Sequence, residues 1–198
     1  LPVAKQKFIE PKEELLLQAQ NEVDKTWGYY KKGIAGTKSP ELVAMAPMSY
    51  SALDKAKNAG SFIYTKSSVS LPADVYVSGD LKKEIQLSTV NAQQKDYNWF
   101  TAELVHWTTP KGFKATGVLY KPENFDPNKK YPMVAYFYEK LSDGLYKYTA
   151  PAPTPSRLDI AMFASNGYLV FTPDISYTIG EPGPSEHRPV IADLVFLR

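Results

Sequence analysis

Thiol and imidazole side chains, which carry much of the covalent and metal chemistry of proteins, are scarce in this chain of 198 residues. Cysteine is absent, which excludes a thiolate nucleophile, a disulfide framework and a cysteine-bound zinc or iron–sulfur centre. The two histidines, His106 and His187, are too few for a multi-histidine metal centre. Cysteine-bound and multi-histidine metal centres are therefore excluded. A serine, a histidine and a carboxylate remain available, and in a catalytic triad these three side chains catalyse acyl transfer.

Ser185, Glu186 and His187 are the one cluster that contains all three of these side-chain types. The string Gly183-Pro184-Ser185-Glu186-His187 is the nearest in the chain to the nucleophile elbow G-x-S-x-G, but it lacks the closing glycine. It also places Pro184 where the tight turn needs conformational freedom. Members of a catalytic triad converge from separate elements, so we interpret Ser185 as a loop serine.

His106 alternates with Val105 and Trp107 in a predicted strand, with no aspartate or serine at a spacing that indicates a relay. We expect a half-exposed strand histidine. The aromatic and basic stretch 27–32 has two interpretations. It is either a nucleic-acid or carbohydrate surface, or a sheet surface on which lysine stems cover apolar groups.

Asp174 follows a predicted buried strand at 168–171. In open α/β sheets ligands bind beyond the carboxyl ends of the strands, so Asp174 is a candidate substrate-binding residue. The alternative is an aspartate that bonds to the backbone of its own loop. For Asp143 and Glu139, in the loop after the preceding strand, we expect solvated side chains.

The elements that must position these residues differ between the two halves of the sequence. In the first half, predicted strands recur with turn signals between them, a spacing typical of a sandwich, a barrel or a propeller. These strands are 15–20, 27–34, 41–45, 61–65, 74–78 and 84–88. A helix is the competing interpretation for residues 13–20, because Glu, Leu, Gln and Ala are good helix formers.

In the second half the pattern changes to strand, helix and strand. Strands are predicted at 102–108 and 114–120, and the apolar runs 133–138 and 168–171 favour buried parallel strands on either side of a helix at 158–165. The sequence thus predicts a mixed fold, antiparallel β followed by a βαβ unit. It places a domain boundary near residue 92, which gives regions 1–92 and 93–198.

Composition narrows the functional classes. A hydrophobic fraction of 43% argues against disorder, and a net charge of +2 argues against a nucleic-acid binder that works by neutralising phosphates. No apolar run approaches the roughly 20 residues that span a bilayer, so no membrane span is expected. The first residues show neither the basic region nor the apolar region of a signal peptide, which leaves the compartment open.

Several strings in the second half resemble the start of the catalytic domain in the prolyl oligopeptidase family of serine peptidases, including its dipeptidyl peptidase IV branch. Three strings are similar to the family's strand–turn–strand lead-in: Glu103-Leu104-Val105 with Trp107, then Lys111-Gly112, then Gly117-Val118-Leu119-Tyr120-Lys121-Pro122-Glu123-Asn124-Phe125. Similar to its first central strands are Tyr131-Pro132-Met133-Val134-Ala135-Tyr136-Phe137-Tyr138 and Asn166-Gly167-Tyr168-Leu169-Val170-Phe171-Thr172-Pro173-Asp174. The loop string Tyr177-Thr178-Ile179-Gly180-Glu181-Pro182-Gly183 follows. The resemblance covers residues 60–183, and the chain before them fits the last blades of that family's β-propeller.

This resemblance implies the end of a β-propeller followed by the first part of an α/β-hydrolase domain. The activity it implies is hydrolysis of short peptides through an acyl-enzyme, with proline or alanine near the cleaved bond and no cofactor. By position, Tyr138 would be the tyrosine whose hydroxyl donates to the oxyanion, and the loop of Asp174 would line the mouth of the active site.

The same resemblance implies that the aspartate and histidine of the triad lie beyond residue 198. We therefore expect a truncated or frame-shifted product that is inactive alone. Two alternatives stay open: a non-catalytic peptide-binding or interaction module, and one half of a split enzyme whose other chain supplies the elbow. A third expectation is self-association, because half a sheet would expose a hydrophobic strand edge after 168–171.

Overall fold

The computed structural model describes residues 14–35, 37–153 and 157–175, and strands dominate them. The first sheet contains β1 (Glu14–Gln20), β2 (Trp27–Gly33) and β3 (Glu41–Ala46). The second contains β4 (Ser49–Lys55), β5 (Phe62–Ser67), β6 (Asp74–Ser78) and β7 (Glu84–Gln86). The third contains β8 (Phe100–Thr108), β9 (Lys114–Pro122), β10 (Met133–Ala135) and β11 (Leu169–Pro173). The helix α1 is Ile160–Ser165, and two 3-10 turns are Ala92–Asp96 and Leu141–Gly144.

The first two sheets are antiparallel meanders, in which consecutive strands pair. The strand predicted at 15–20 is confirmed, and the helical alternative is wrong. Leu16 is buried with Tyr29 and Tyr64 in a common core. Its neighbours Leu15 and Leu17 lie outside this core and are more exposed to solvent. This period of two suits a strand that buries one face. The mostly antiparallel architecture is consistent with part of a β-propeller.

The sequence analysis missed β4. Its Ser, Ala, Asp and Lys residues carry no strong strand signal, and a register irregularity interrupts its pairing with β5 between Ser51 and Asp54. Ala52 has a positive φ of 51° at this point, which is the backbone conformation of a bulge and not of a regular strand.

The third sheet has the order β10-β11-β9-β8, and β10 and β11 are parallel while the other pairs are antiparallel. The strand–helix–strand arrangement predicted between residues 133 and 171 is therefore present. Ala161 and Ala164 of α1 pack in one core with Val118 of β9 and Val170 of β11, and all four are fully buried. Their small and β-branched side chains allow the helix to approach the sheet closely.

The parallel strand predicted at 133–138 is confirmed over Met133–Ala135, but its predicted burial is wrong. Regular strand ends at Ala135, and the exposed fractions are 47% for Met133 and 61% for Tyr138. The reason is position: among the described strands, β10 is at an edge of the sheet, so apolar residues on both of its faces do not imply cover on both faces. β11, in contrast, lies between β10 and β9, so the exposed edge predicted after 168–171 belongs to β10 instead.

The boundary predicted near residue 92 stays a prediction. Val69, from the first half of the chain, packs in the same core as Trp99 and accepts the indole hydrogen bond from Trp99 Nε1 at 2.8 Å. Within the described ranges, no helix has the length and apolar character needed to cross a bilayer.

Candidate functional site at the carboxyl ends of the parallel strands

Tyr138 and Asp174 follow the two parallel strands and so lie at the same edge of the third sheet. Tyr136 N donates to Phe171 O at 2.9 Å, which extends the pairing of β10 and β11 by one bond. The side chain of Tyr138 is mostly exposed. The next residue, Glu139, has a left-handed φ of 51°, and its carbonyl accepts a hydrogen bond from Ile175 N at 2.9 Å. The main chain on both sides of Tyr138 is therefore fixed to β11 and the residues that follow it.

Asp174 is fully engaged by the loop after β10. Its carboxylate accepts hydrogen bonds from Ser142 N at 2.8 Å and from Ser142 Oγ at 2.5 Å, one on each oxygen. Ser142 is completely buried. The partner of Asp174 is thus a distant loop and not its own backbone. The role of Asp174 in substrate binding stays a prediction, and its observed contacts hold the loop that follows Tyr138.

The other side of this loop contacts the turn between β1 and β2. Lys25 Nζ lies 2.9 Å from Asp143 Oδ1 and 3.3 Å from Glu22 Oε2, and Lys140 Nζ lies 2.7 Å from the same Glu22 oxygen. The Lys25 side chain is 3% exposed. We call these contacts between residues 20–25 and residues 139–146 the turn–loop junction. Asp143 is therefore an ion-pair partner and not the solvated carboxylate that the sequence analysis expected.

The junction shifts the pKa values of Glu22 and Lys140 in the directions that favour their ion pair. Hydrogen bonds from Lys140 and then Lys25 lower the pKa of Glu22, and the hydrogen bond to Glu22 is the main reason that the pKa of Lys140 is raised. Both groups consequently stay charged over a wider pH range than isolated side chains do. Sequence reasoning missed this network because its members are far apart in the chain and belong to ordinary polar turns.

His106 is an exposed residue of β8, and its Nδ1 lies 3.1 Å from Thr116 Oγ1 on the neighbouring strand. The interpretation as a strand histidine is confirmed. The stretch 27–32 lies in β2, the middle strand of the first sheet, and Tyr29 within it belongs to the core. This placement favours the sheet-surface interpretation of its lysines. Ser185, Glu186 and His187 lie outside the described residues.

Among the described residues, the ring of His106 has Thr116 as its hydrogen-bond partner and not a serine or an aspartate. The same ranges hold no group of three His, Asp or Glu side chains that could bind a metal ion.

Several solved structures of peptidases share the fold of this chain. The isopeptidase AtxE2 matches 81% of this chain with a TM-score of 0.57 at 16% identity. Pyrococcus horikoshii acylaminoacyl peptidase matches 81% with a TM-score of 0.57 at 17% identity, and Porphyromonas gingivalis dipeptidyl peptidase 4 matches 84% with a TM-score of 0.55 at 19% identity. This chain has the fold of one section of these peptidases. It covers 23% of the length of each, and neither a family model nor a curated protein sequence matches it.

Proposed function

We propose that this chain is part of a serine peptidase of the prolyl oligopeptidase type, which hydrolyses short peptides through an acyl-enzyme. The observation that carries the proposal is the fold shared with sections of several peptidases over about four-fifths of the chain. In this proposal the first two sheets are the last blades of a β-propeller, and the third sheet with α1 begins the α/β-hydrolase domain.

Three observations support the assignment of Tyr138 as an oxyanion donor. It follows the carboxyl end of a parallel strand, its side chain is exposed, and the main chain around it is fixed through Tyr136 and Glu139. A preorganised hydroxyl can donate to the negative oxygen that forms when a serine attacks a peptide carbonyl. In this assignment Tyr138 is a catalytic residue, and the serine, aspartate and histidine come from outside the described residues, as in a longer or a split enzyme.

The first test is intact-mass analysis of the purified chain after treatment with a fluorophosphonate, which labels activated serines. We expect an unmodified mass, because the chain contains no G-x-S-x-G elbow. A stoichiometric adduct would show an activated serine in this chain, with Ser185 as the first residue to examine. The assignment of the nucleophile to another segment would then be wrong.

The second test supplies the missing segment, as a polypeptide that carries the G-x-S-x-G elbow together with the aspartate and histidine. We expect the mixture to cleave chromogenic peptides with proline or alanine before the leaving group. Tyr138→Phe should lower kcat by about 10²–10³-fold with little change in KM, because a donor to the oxyanion acts in the transition state. Tyr97→Phe is the matched control, since Tyr97 is also exposed but lies outside this site. Tight peptide binding without cleavage in the mixture would favour the non-catalytic module.

A further inference from the structure

We propose that Lys25, in the turn between β1 and β2, is a positioning residue for the loop that carries Tyr138. Its ammonium group binds Asp143 and so holds residues 139–146 in place from the side opposite to the third sheet. The role of Tyr138 in this inference rests on the proposed function, but the restraint that Lys25 places on the loop does not.

The burial of Lys25 is the first observation. A charged ammonium group that is almost completely removed from water requires partners, because leaving it unpaired is strongly unfavourable. Its partners are Asp143 and Glu22, and Glu22 belongs to the same turn and is itself 73% exposed. Asp143 is thus the partner that links Lys25 to a distant part of the chain.

The turn that presents Lys25 is itself well defined. Lys25 N donates to Asn21 O at 2.9 Å, and Asn21 N donates to Thr26 O at 2.8 Å, which closes the turn. Lys25 has a left-handed φ of 62°, a conformation that few residues other than glycine adopt. The closed turn holds this conformation and therefore fixes the starting point of the lysine side chain.

Two uncharged contacts support the same docking. Gln20 Nε2 donates to the main-chain oxygen of Asp143 at 2.9 Å, and Tyr146 Oη donates to the main-chain oxygen of Asp24 at 3.1 Å. The turn therefore binds both the side chain and the backbone at Asp143, and again binds the loop at Tyr146. Contacts at several points along the loop fix its orientation as well as its distance.

On its opposite side the loop is bound to the residues after β11, through Ser142 on Asp174 and through Glu139 O on Ile175 N. Residues 139–146 are consequently held between the first sheet and the third. Tyr138 immediately precedes this segment. Loosening either side increases the range of positions that its hydroxyl samples, and transition-state stabilisation depends on a donor that is already in place.

Hydrogen exchange of the 198-residue chain, measured by mass spectrometry or NMR, tests the restraint without requiring activity. Lys25→Met keeps most of the aliphatic stem and removes the charge. We expect exchange of the amides of Ser142, Leu145 and Ile175 to rise by about tenfold or more, as expected when a local opening becomes easier. Lys121→Met is the matched control, because Lys121 also pairs with a carboxylate, Glu103, at 2.7 Å but lies in the third sheet.

Asp143→Asn is a second variant that removes the same ion pair from the loop side. It replaces Lys25→Met in the exchange experiment if Lys25→Met does not fold. Lys25→Arg should restore most of the protection because it restores the charge. Unchanged exchange in the loop would overturn the proposal. An equal rise in all three sheets would also overturn it, because Lys25 would then stabilise the whole fold and position nothing in particular.

In the reconstituted peptidase, Lys25→Met should lower kcat more than it raises KM, and Lys25→Arg should recover kcat. If Tyr138→Phe leaves turnover unchanged while Lys25→Met still raises exchange only in residues 139–146 and at Ile175, the restraint by Lys25 stands and the catalytic role of Tyr138 fails. The two proposals can therefore fail separately.

Discussion

The hydrogen bonds between Ser142 and Asp174 connect the loop after β10 to the end of β11. Removing them tests how much they stabilise the packing of this loop against the carboxyl ends of the parallel strands. Ser142→Ala deletes the Oγ donor and changes little else, because alanine occupies only slightly less volume in this completely buried site. The amide of residue 142 can still donate to Asp174 Oδ1.

The expected magnitude follows from the charge and the burial. A hydrogen bond to a charged acceptor contributes about 1.5–3 kcal/mol net, and the observed donor–acceptor distance of 2.5 Å from Ser142 Oγ to Asp174 Oδ2 is at the short, strong end for such bonds. We therefore expect Ser142→Ala to lower the free energy of unfolding by about 1.5–3 kcal/mol.

Asp174→Ala removes the acceptor of both bonds and leaves the buried amide of Ser142 without a partner, so it should cost more, about 3–5 kcal/mol. Asp174→Asn should cost less than Asp174→Ala. The asparagine oxygen can accept from Ser142 N, and the serine hydroxyl can rotate to accept from the asparagine NH2 group.

Urea denaturation followed by tryptophan fluorescence measures these differences, with the slope m expected to stay constant across the variants. Ser70→Ala is the control, because Ser70 is exposed, and it should change stability by less than about 0.5 kcal/mol. A cost below about 0.5 kcal/mol for Ser142→Ala, or an Asp174→Ala variant no worse than Ser142→Ala, would refute the reasoning.

Two further predictions concern the third sheet. Gly117→Ala would place a methyl carbon 2.9 Å from Pro173 Cα and 2.9 Å from Thr172 O, both backbone atoms of the adjacent strand, so we expect a loss of about 1–3 kcal/mol in urea denaturation. Gly79→Ala, whose added methyl meets open space, should be close to neutral. Burial raises the pKa of Tyr120 to about 12. Because the folded state holds the phenol proton more tightly than the unfolded state, the protonated phenol contributes to the free energy of unfolding. This contribution is complete below pH ~10 and is lost as the pH rises through ~12, by about 2.7 kcal/mol in total. Tyr120→Phe should flatten the fall in stability over this pH range, and an unchanged slope would contradict the assignment.

Local patterns predicted most of the strands because each depends on near neighbours in the sequence. The alternation of residues 74–78 matches β6 (Asp74–Ser78), and the turn signal before residue 27 matches the closed turn at Lys25. β4 was missed because its local pattern is weak: it is held by pairing with β5, which tolerates residues with weak strand preference.

The position of a strand in its sheet could not be predicted, as β10 shows. Its apolar residues indicated burial. Whether a strand lies at the edge or in the centre of a sheet depends on which strands pair with it. The partners of Asp174 and Asp143 were likewise beyond local reasoning. Their partners, Ser142 and Lys25, are separated from them by long stretches of chain, and a single sequence contains no signal that connects them.

The sequence by itself determined that this is a β-rich chain with a strand–helix–strand segment and without thiol chemistry, with Tyr138 as the last residue of one predicted strand and Asp174 after the next. Such features follow from residue type and from periodicity, which act over a few residues. Only the tertiary structure decided that Asp174 binds the loop of Ser142 and that buried Lys25 binds the same loop at Asp143. Those contacts exist because folding brings the first and third sheets together, and a buried charge is stable only beside the partner that the fold provides.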